Sequence, residues 1–313
     1  MSANNSDQNQ TNSQNWVFVG TYSLVFVSGL TLNLIALVVF TRHNKARSHT
    51  TVYMTNLALA DLLLVCTLPI RIYYHTGALK LSQWLCEMMG LVLLINMYGS
   101  IFLLACMNFD RCVAVCFPLS QCVKDWRKRA PLVCLGVWVL TIGASLPNYL
   151  RRNNSEVNCF NSRPVYATKP AAVASALTIG FGIPLLSMLV CSWGLVRAIN
   201  RSAAVQMELV DSKKIKRMVT ANLVIFLLCF FPYHLMLLLL HFDKKEDSSS
   251  LLLAYQYSLM VACLNAMLDP LVYYFTTETF RNRVQGMETL GRAWAINSNS
   301  SDGQNRSRVP LNA

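Results

Sequence analysis

Apolar residues gather in seven runs along the 313-residue chain, at 16–40, 51–74, 86–117, 131–150, 171–196, 218–241 and 251–275, and short polar segments separate them. A hydrocarbon layer about 30 Å thick is crossed by roughly 20 helical residues, so each run is long enough. Lipid offers no partner to a backbone amide, and such runs therefore cross as helices whose hydrogen bonds close within the segment. The pattern predicts an all-α membrane protein: a seven-transmembrane helix bundle over residues 16–275, preceded by a polar tail, 1–15. After the seventh run, Phe280, Val284, Met287 and Leu290 recur at helical spacing. They predict a short amphipathic helix over 276–292, lying on the membrane surface, with a polar tail over 293–313.

Composition agrees with a chain built in lipid, because 54% of residues are hydrophobic and only 13% charged. A net charge of +12 would suggest nucleic acid in a soluble protein, but here the cations sit in particular loops. Arg42, Lys45 and Arg47 follow the first run, Lys124, Arg127, Lys128 and Arg129 follow the third, and Lys213, Lys214, Lys216 and Arg217 precede the sixth. Short cytoplasmic loops collect Lys and Arg, so these three face the cytoplasm and no nucleic-acid partner is expected. The amino terminus then lies outside a multi-pass plasma-membrane protein. Its first fifteen residues lack the basic start and apolar core of a cleavable signal. Asn4 and Asn9 head Asn-x-Ser/Thr triplets on that outer side and are candidate glycosylation sites.

Of eleven cysteines, only Cys86 and Cys159 fall at or beyond the outer face. In an oxidising compartment they are expected to pair, two free thiols being the alternative. Chain entropy credits a loop of that length with at most about 4–5 kcal/mol.

Ionisable groups inside lipid cost roughly 2.5–3.5 kcal/mol each at mid-helix and survive where they face the bundle interior. Asp61 lies midway along the second run, Asp269 in the seventh, and Asp110 and Arg111 at the inner end of the third. With Ser100 and Asn265, the two deeper acids form a candidate oxygen-rich cage. Two adjacent carboxylates need a proton or a cation between them, and sodium is the preferred occupant; a hydrogen-bonded network knitting the helices is the alternative. No other cofactor is expected. Pro69, Pro184, Pro232 and Pro270 interrupt four of the runs and predict kinks.

These residues carry a resemblance. Asn33 in GLTLN, Asp61 in NLALAD, Cys86, Trp138, Asp110-Arg111-Cys112, Cys229 to Pro232 and Asp269-Pro270-Leu-Val-Tyr273 stand in order and spacing similar to the rhodopsin-like (class A) G-protein-coupled receptors. The resemblance implies that Arg111 is the switch, held by Asp110 when inactive and released towards the G protein. Tyr273 would move alongside it, and Phe230, Pro232, Asp269 and Pro270 belong to the same switch. Arrestin and receptor kinases are the further partners it implies. Cys112 replaces the usual Tyr, Phe230 the usual Trp, Asp269 the usual Asn, and Ser192 a common Tyr. The Phe and Asp changes resemble the branch containing the purinergic receptors. Within it, residues 53–72, Asn96 to Ser100, 222–233 and 268–275 are most similar to the non-endothelial lysophosphatidic acid receptors, with a kynurenate-responsive orphan receptor also similar.

Arg71 lies ten residues, nearly three turns, beyond Asp61 and so near the outer cavity. Arg151, Arg152, Arg163 and Lys169 crowd the outer loop before the fifth run, with His234 above Phe230. A planar guanidinium with no acid opposite suits a phosphate or carboxylate. Met97, Tyr98, Tyr233 and Tyr255 are candidates for an amphipathic wall around it. The expected ligand is thus an anionic amphiphile of the lysophosphatidic acid type, with a nucleotide or an aromatic carboxylate such as kynurenate as alternative. A transporter or channel would use the same acids, but it usually shows two related halves, and no repeat appears. Nor does any metal-binding spacing, activated Ser or phosphate loop, so no enzyme is expected.

The topology has a direct consequence: protease added to intact cells should leave the three basic loops uncut while cleaving them in opened membranes. Cleavage at residues 124–129 from outside would invert the orientation.

Overall fold

The computed structural model describes residues 2–41, 49–77, 81–150, 164–202, 209–243 and 249–276, with side chains from residue 15 onward except 148–150, 165, 200–202, 209–214, 249 and 273–276. Asn4, Asn9, Arg151, Arg152, Cys159, Arg163, the Tyr273 side chain and the surface helix expected over 276–292 lie outside this description.

Among the described residues all regular structure is helical, and seven segments are long and apolar enough to cross a membrane. The first span lies in α1 (Ser2–Thr41), whose helical backbone also runs through the polar residues expected as a tail. The second comprises α2 (His49–Val65) and α3 (Leu68–His75), and the third is α4 (Gln83–Cys116). A short helix not foreseen in the sequence, α5 (Gln121–Arg127), precedes the fourth span, α6 (Ala130–Leu150). It starts at Ser120, whose hydroxyl accepts from the Val123 amide at 3.4 Å, a side-chain cap that serves an otherwise orphaned donor. A 3-10 turn at Val165–Thr168 leads to the fifth span: α7 (Pro170–Ser175), a π-helical stretch (Ala176–Gly182) and α8 (Ile183–Ser202). The sixth is α9 (Leu209–Phe242), whose early turns carry the Lys213–Arg217 cations assigned above to a loop. The seventh comprises α10 (Ser249–Cys263) and α11 (Asn265–Thr276).

Burial is inverted relative to a soluble bundle. Leu24, Val27, Leu135, Val139, Leu186 and Leu228 face outward, while Asn33, Asp61, Asn96, Ser100, Asn108, Asp110, Asn222, Asn265 and Asp269 are buried. Apolar side chains cost nothing against lipid tails, whereas polar ones find partners only inside.

The prolines act as their chemistry dictates. Pro69 enters at the first turn of α3, and the second span breaks before it at Cys66–Thr67; the Thr67 hydroxyl donates to the Leu64 carbonyl at 2.7 Å. Pro184 follows the π-helical stretch, and Pro232 sits inside continuous α9. Pro270 lacks the amide that would serve the Ala266 carbonyl four residues earlier. Asn33 supplies the missing donor from the first span, its Nδ2 lying 2.7 Å from that carbonyl and 2.9 Å from its own Gly29 carbonyl. Gly29 also lets span one lie close to span two, since a Cβ there would come within 3.0 Å of the Val65 side chain, with the Ala266 oxygen of span seven at ordinary contact, 3.5 Å.

Asn33→Ala leaves that carbonyl buried and unserved, which costs about 1–3 kcal/mol. The thermal midpoint of the purified protein should fall; an unchanged midpoint would show that the proline defect is met elsewhere.

Candidate functional site

On the outer side, an aromatic cluster joins the second outer loop to the helices. The 3-10 turn inserts Tyr166 between spans six and seven, its hydroxyl 3.0 Å from that of Tyr233 and 2.7 Å from that of Tyr255. His241 on α9 reaches the Ala167 carbonyl with Nδ1 at 2.9 Å, pinning the same turn. Burial, and then the neighbouring Tyr255 phenol, pushes the Tyr166 hydroxyl well above its ordinary pKa, so it stays neutral. His234 stacks on Phe181 at 4.4 Å and meets Tyr233 edge-on at 5.0 Å and Tyr98 at 5.9 Å. Its Nδ1 lies 2.8 Å from the Phe230 carbonyl.

Beside this cluster lies a cavity of about 290 Å³. Spans three to five supply most of its wall, with Tyr98, Phe102, Leu140, Ala144, Ala176 and Ile179 among the lining residues and Tyr166 and Tyr233 beside them. Leu140 and Ile179 are about half exposed, at 50% and 54%, so two of its lining residues also face outward between the fourth and fifth spans. Gly180 makes room for the wall, since a Cβ there would come within 2.6 Å of the Tyr98 ring.

Of the candidate ligand residues, Tyr98 and Tyr233 line the cavity and Tyr255 reaches it through Tyr166. Met97 is buried in the same apolar core, and Lys169 is exposed just before α7. Arg71 occupies a neighbouring position: 2% exposed, it donates from Nη2 to the Met89 carbonyl at 2.9 Å, with Tyr22 and Cys263 in electrostatic reach. Phe18 of the first span lies between His75 and Tyr257, with centroids at 4.7 and 4.9 Å, closing that side. Cys86 is disulfide-bonded.

Midway down, the four cage residues do converge. With the Asn265 amide turned so that both ends are satisfied, its nitrogen donates to both Asp269 oxygens at 3.2 Å and its oxygen accepts from Ser100 at 3.1 Å. Asp61 Oδ1 accepts from Asn96 at 3.1 Å, while its Oδ2 has no partner. Asn96, one helical turn above Ser100, belongs to this cage and was not among the candidates; its polar side chain on the buried face of α4 was the available signal. Trp138 Nε1 donates to Asn56 at 3.0 Å, tying span four to span two.

At the inner end the expected Asp110–Arg111 pair is not formed. Asp110 instead accepts two bonds from Arg127 of α5, Nε to Oδ1 at 2.7 Å and Nη2 to Oδ2 at 3.0 Å, and a third from the Thr50 hydroxyl at 3.3 Å. Those hydrogen bonds hold the Arg127 guanidinium above its ordinary pKa. Adjacent residues on a helix point about 100° apart, so once Asp110 faces α2 and α5, Arg111 faces elsewhere. Arg111 Nε is buried with no hydrogen-bond partner. Asn222 of α9 donates to Asn108 of α4 at 3.1 Å, an amide pair joining spans six and three one turn above. Phe230 and Asp269 are buried at 0% and 1% exposure, above this level.

Comparison with known proteins places this arrangement. The profile described as 7 transmembrane receptor (rhodopsin family) matches residues 32–273. The lysophosphatidic acid receptor 4 of Mus musculus is 35% identical over 274 residues, 83% of this chain and 74% of that one. The lysophosphatidic acid receptor 5 of Bos taurus is 36% identical, covering 90% of this chain and 81% of its own length. The cysteinyl leukotriene receptor 1 of Cavia porcellus is 32% identical, covering 87% and 84%. A match across nearly the whole bundle, on a chain with seven apolar spans around buried polar groups, means that this protein belongs to the rhodopsin family of seven-transmembrane, G-protein-coupled receptors.

Proposed function

We propose that this receptor takes a lysophosphatidic acid-type lipid, an acyl chain with an anionic head, from its outer half and signals through a heterotrimeric G protein. The observation that carries the reading is the cavity between spans three, four and five, whose lining residues Leu140 and Ile179 also face lipid. An acyl chain can pass between those spans without crossing water, and apolar walls replace the lipid it leaves. The buried Arg71 guanidinium on the opposite side of the outer half gives a fork for phosphate. Three linked phenols, Tyr166 and Tyr233 on the cavity wall and Tyr255 bonded to Tyr166, can bond the polar linker. Likeness to receptors named for lysophosphatidic acid supports the same class.

The remaining assignments belong to the same proposal. Cys159 is the partner of Cys86, fixing the outer loop that carries Tyr166, and Arg151, Arg152 and Arg163 on that loop gather anions near the entrance. Asn4 and Asn9 carry glycans outside the plasma membrane. The unserved Asp61 oxygen and the Asn265–Asp269 pair fit a sodium ion, which would balance two buried acids and favour the arrangement in which they stay together. Arg111, with Phe230, Pro232, Pro270 and Tyr273 moving alongside, engages the G protein when spans three and six separate. Arrestin and receptor kinases act on the cytoplasmic side.

Loss of a buried, hydrogen-bonded charge opposite an anionic ligand costs about 2 kcal/mol or more, roughly thirtyfold in affinity. Lysophosphatidic acid potency should therefore drop by that order in Arg71→Ala and less in Arg71→Lys. Ala144→Phe, which fills the cavity, should weaken long-chain ligands more than short-chain ones. Unchanged potency in Arg71→Ala at normal surface expression would remove the anion assignment.

A further inference from the structure

The inner end of α4 presents two charged neighbours with unequal company. Asp110 is 0% exposed and accepts three bonds from Arg127 and Thr50, whereas the Arg111 guanidinium has a buried Nε that bonds to nothing. An arginine next to an acid normally finds it; here the acid is already taken by a guanidinium from another element. We infer that Arg127 of α5 is a positioning residue for signalling: by occupying Asp110 it keeps the internal lock open and leaves Arg111 available to the G protein before any ligand binds.

The local structure is built to hold Arg127 there. Ser120 caps α5, and Trp126 beside Arg127 stands edge-on to Phe109 at 5.4 Å, one residue before Asp110. That ring contact fixes α5 against α4 so that the fork arrives with both arms bonded. A planar guanidinium with two parallel bonds is more tightly oriented than the single contact a lysine would make. The spans are joined at this level by the neutral Asn108–Asn222 pair, which opens without separating charges.

Replacing Arg127 frees Asp110 to take Arg111, and the lock closes. The proposal rests on the receptor reading above, and the test separates the two by working without ligand. The full-length receptor in lipid nanodiscs is assayed for guanine-nucleotide exchange on a purified heterotrimeric G protein. Arg127→Ala should lower the ligand-independent rate by about fivefold or more, the scale of a typical coupling between two states. In the Asp110→Asn background, where no lock can form, Arg127→Ala should change nothing, a result that a merely structural role for Arg127 would not give. An unchanged or raised rate in Arg127→Ala, or an undiminished effect on top of Asp110→Asn, overturns the proposal. Should Arg127→Ala fail to reach the membrane, Arg127→Lys serves: a drop of about twofold is expected from its single contact, and an unaltered rate again overturns it. If Arg111→Ala alone leaves exchange intact, the receptor reading of Arg111 fails, and the role of Arg127 falls with it.

Discussion

Within a bilayer a polar group has no water to fall back on, so each one has to be served by another part of the chain. That constraint organises this protein more than any single apolar contact does. Its lipid-facing side chains are interchangeable in kind, but Asn33, Asp61, Asn96, Asn108, Asp110, Asn222, Asn265 and Asp269 are buried, and their partners decide which helices lie together. Asn33 ties span one to seven, Asn96 span three to two, Asn222 span six to three, and Trp138 span four to two. The same economy explains why prolines are tolerated: the carbonyl that Pro270 strands is met by Asn33 from a neighbouring helix.

Such a network also makes the bundle capable of two arrangements. Polar partners can be exchanged one for another at little net cost, whereas a close-packed apolar core resists sliding. At the inner end the exchange concerns one carboxylate and two guanidinium groups. In the proposed switch Asp110 holds either Arg127, as in this structure, or Arg111, and the second choice withdraws the residue offered to the G protein. At the outer end, Tyr166 brings a loop into the same network through Tyr233 of span six and Tyr255 of span seven. A ligand that competes for those phenols acts directly on spans six and seven, and to shift populations between two arrangements it must favour one over the other.

Much of this was legible in the residues. Seven apolar runs gave seven spans, with boundaries within a few residues, because the demand for about 20 helical residues is set by the solvent. The cage of Asp61, Ser100, Asn265 and Asp269 was legible for the same reason, since acids survive in lipid by facing the bundle interior, where other polar groups gather. What stayed hidden depended on orientation. The α5 helix is seven residues of mixed polarity in a basic loop, and four cations, Lys124, Arg127, Lys128 and Arg129, stand near two acids, Asp110 and Asp125, the second of which pairs with Lys128. Only the cap at Ser120 and the Trp126–Phe109 contact select Arg127. Tyr166 was hidden likewise, being one of two aromatics, with Phe160, in a loop whose path is set by contacts distant in sequence. The cavity depends on Gly180 in a π-helical stretch whose extra residue per turn has no signature in hydrophobic period.

The central claim is that binding of an anionic lipid outside alters the partnership of charges inside. A fluorescence or spin-label distance between the inner ends of spans three and six, followed in the reconstituted receptor as lysophosphatidic acid is titrated in, reads it most directly. The account predicts a lengthening that saturates with the ligand and grows further when G protein is added. A distance that stays fixed while the lipid demonstrably binds would contradict it.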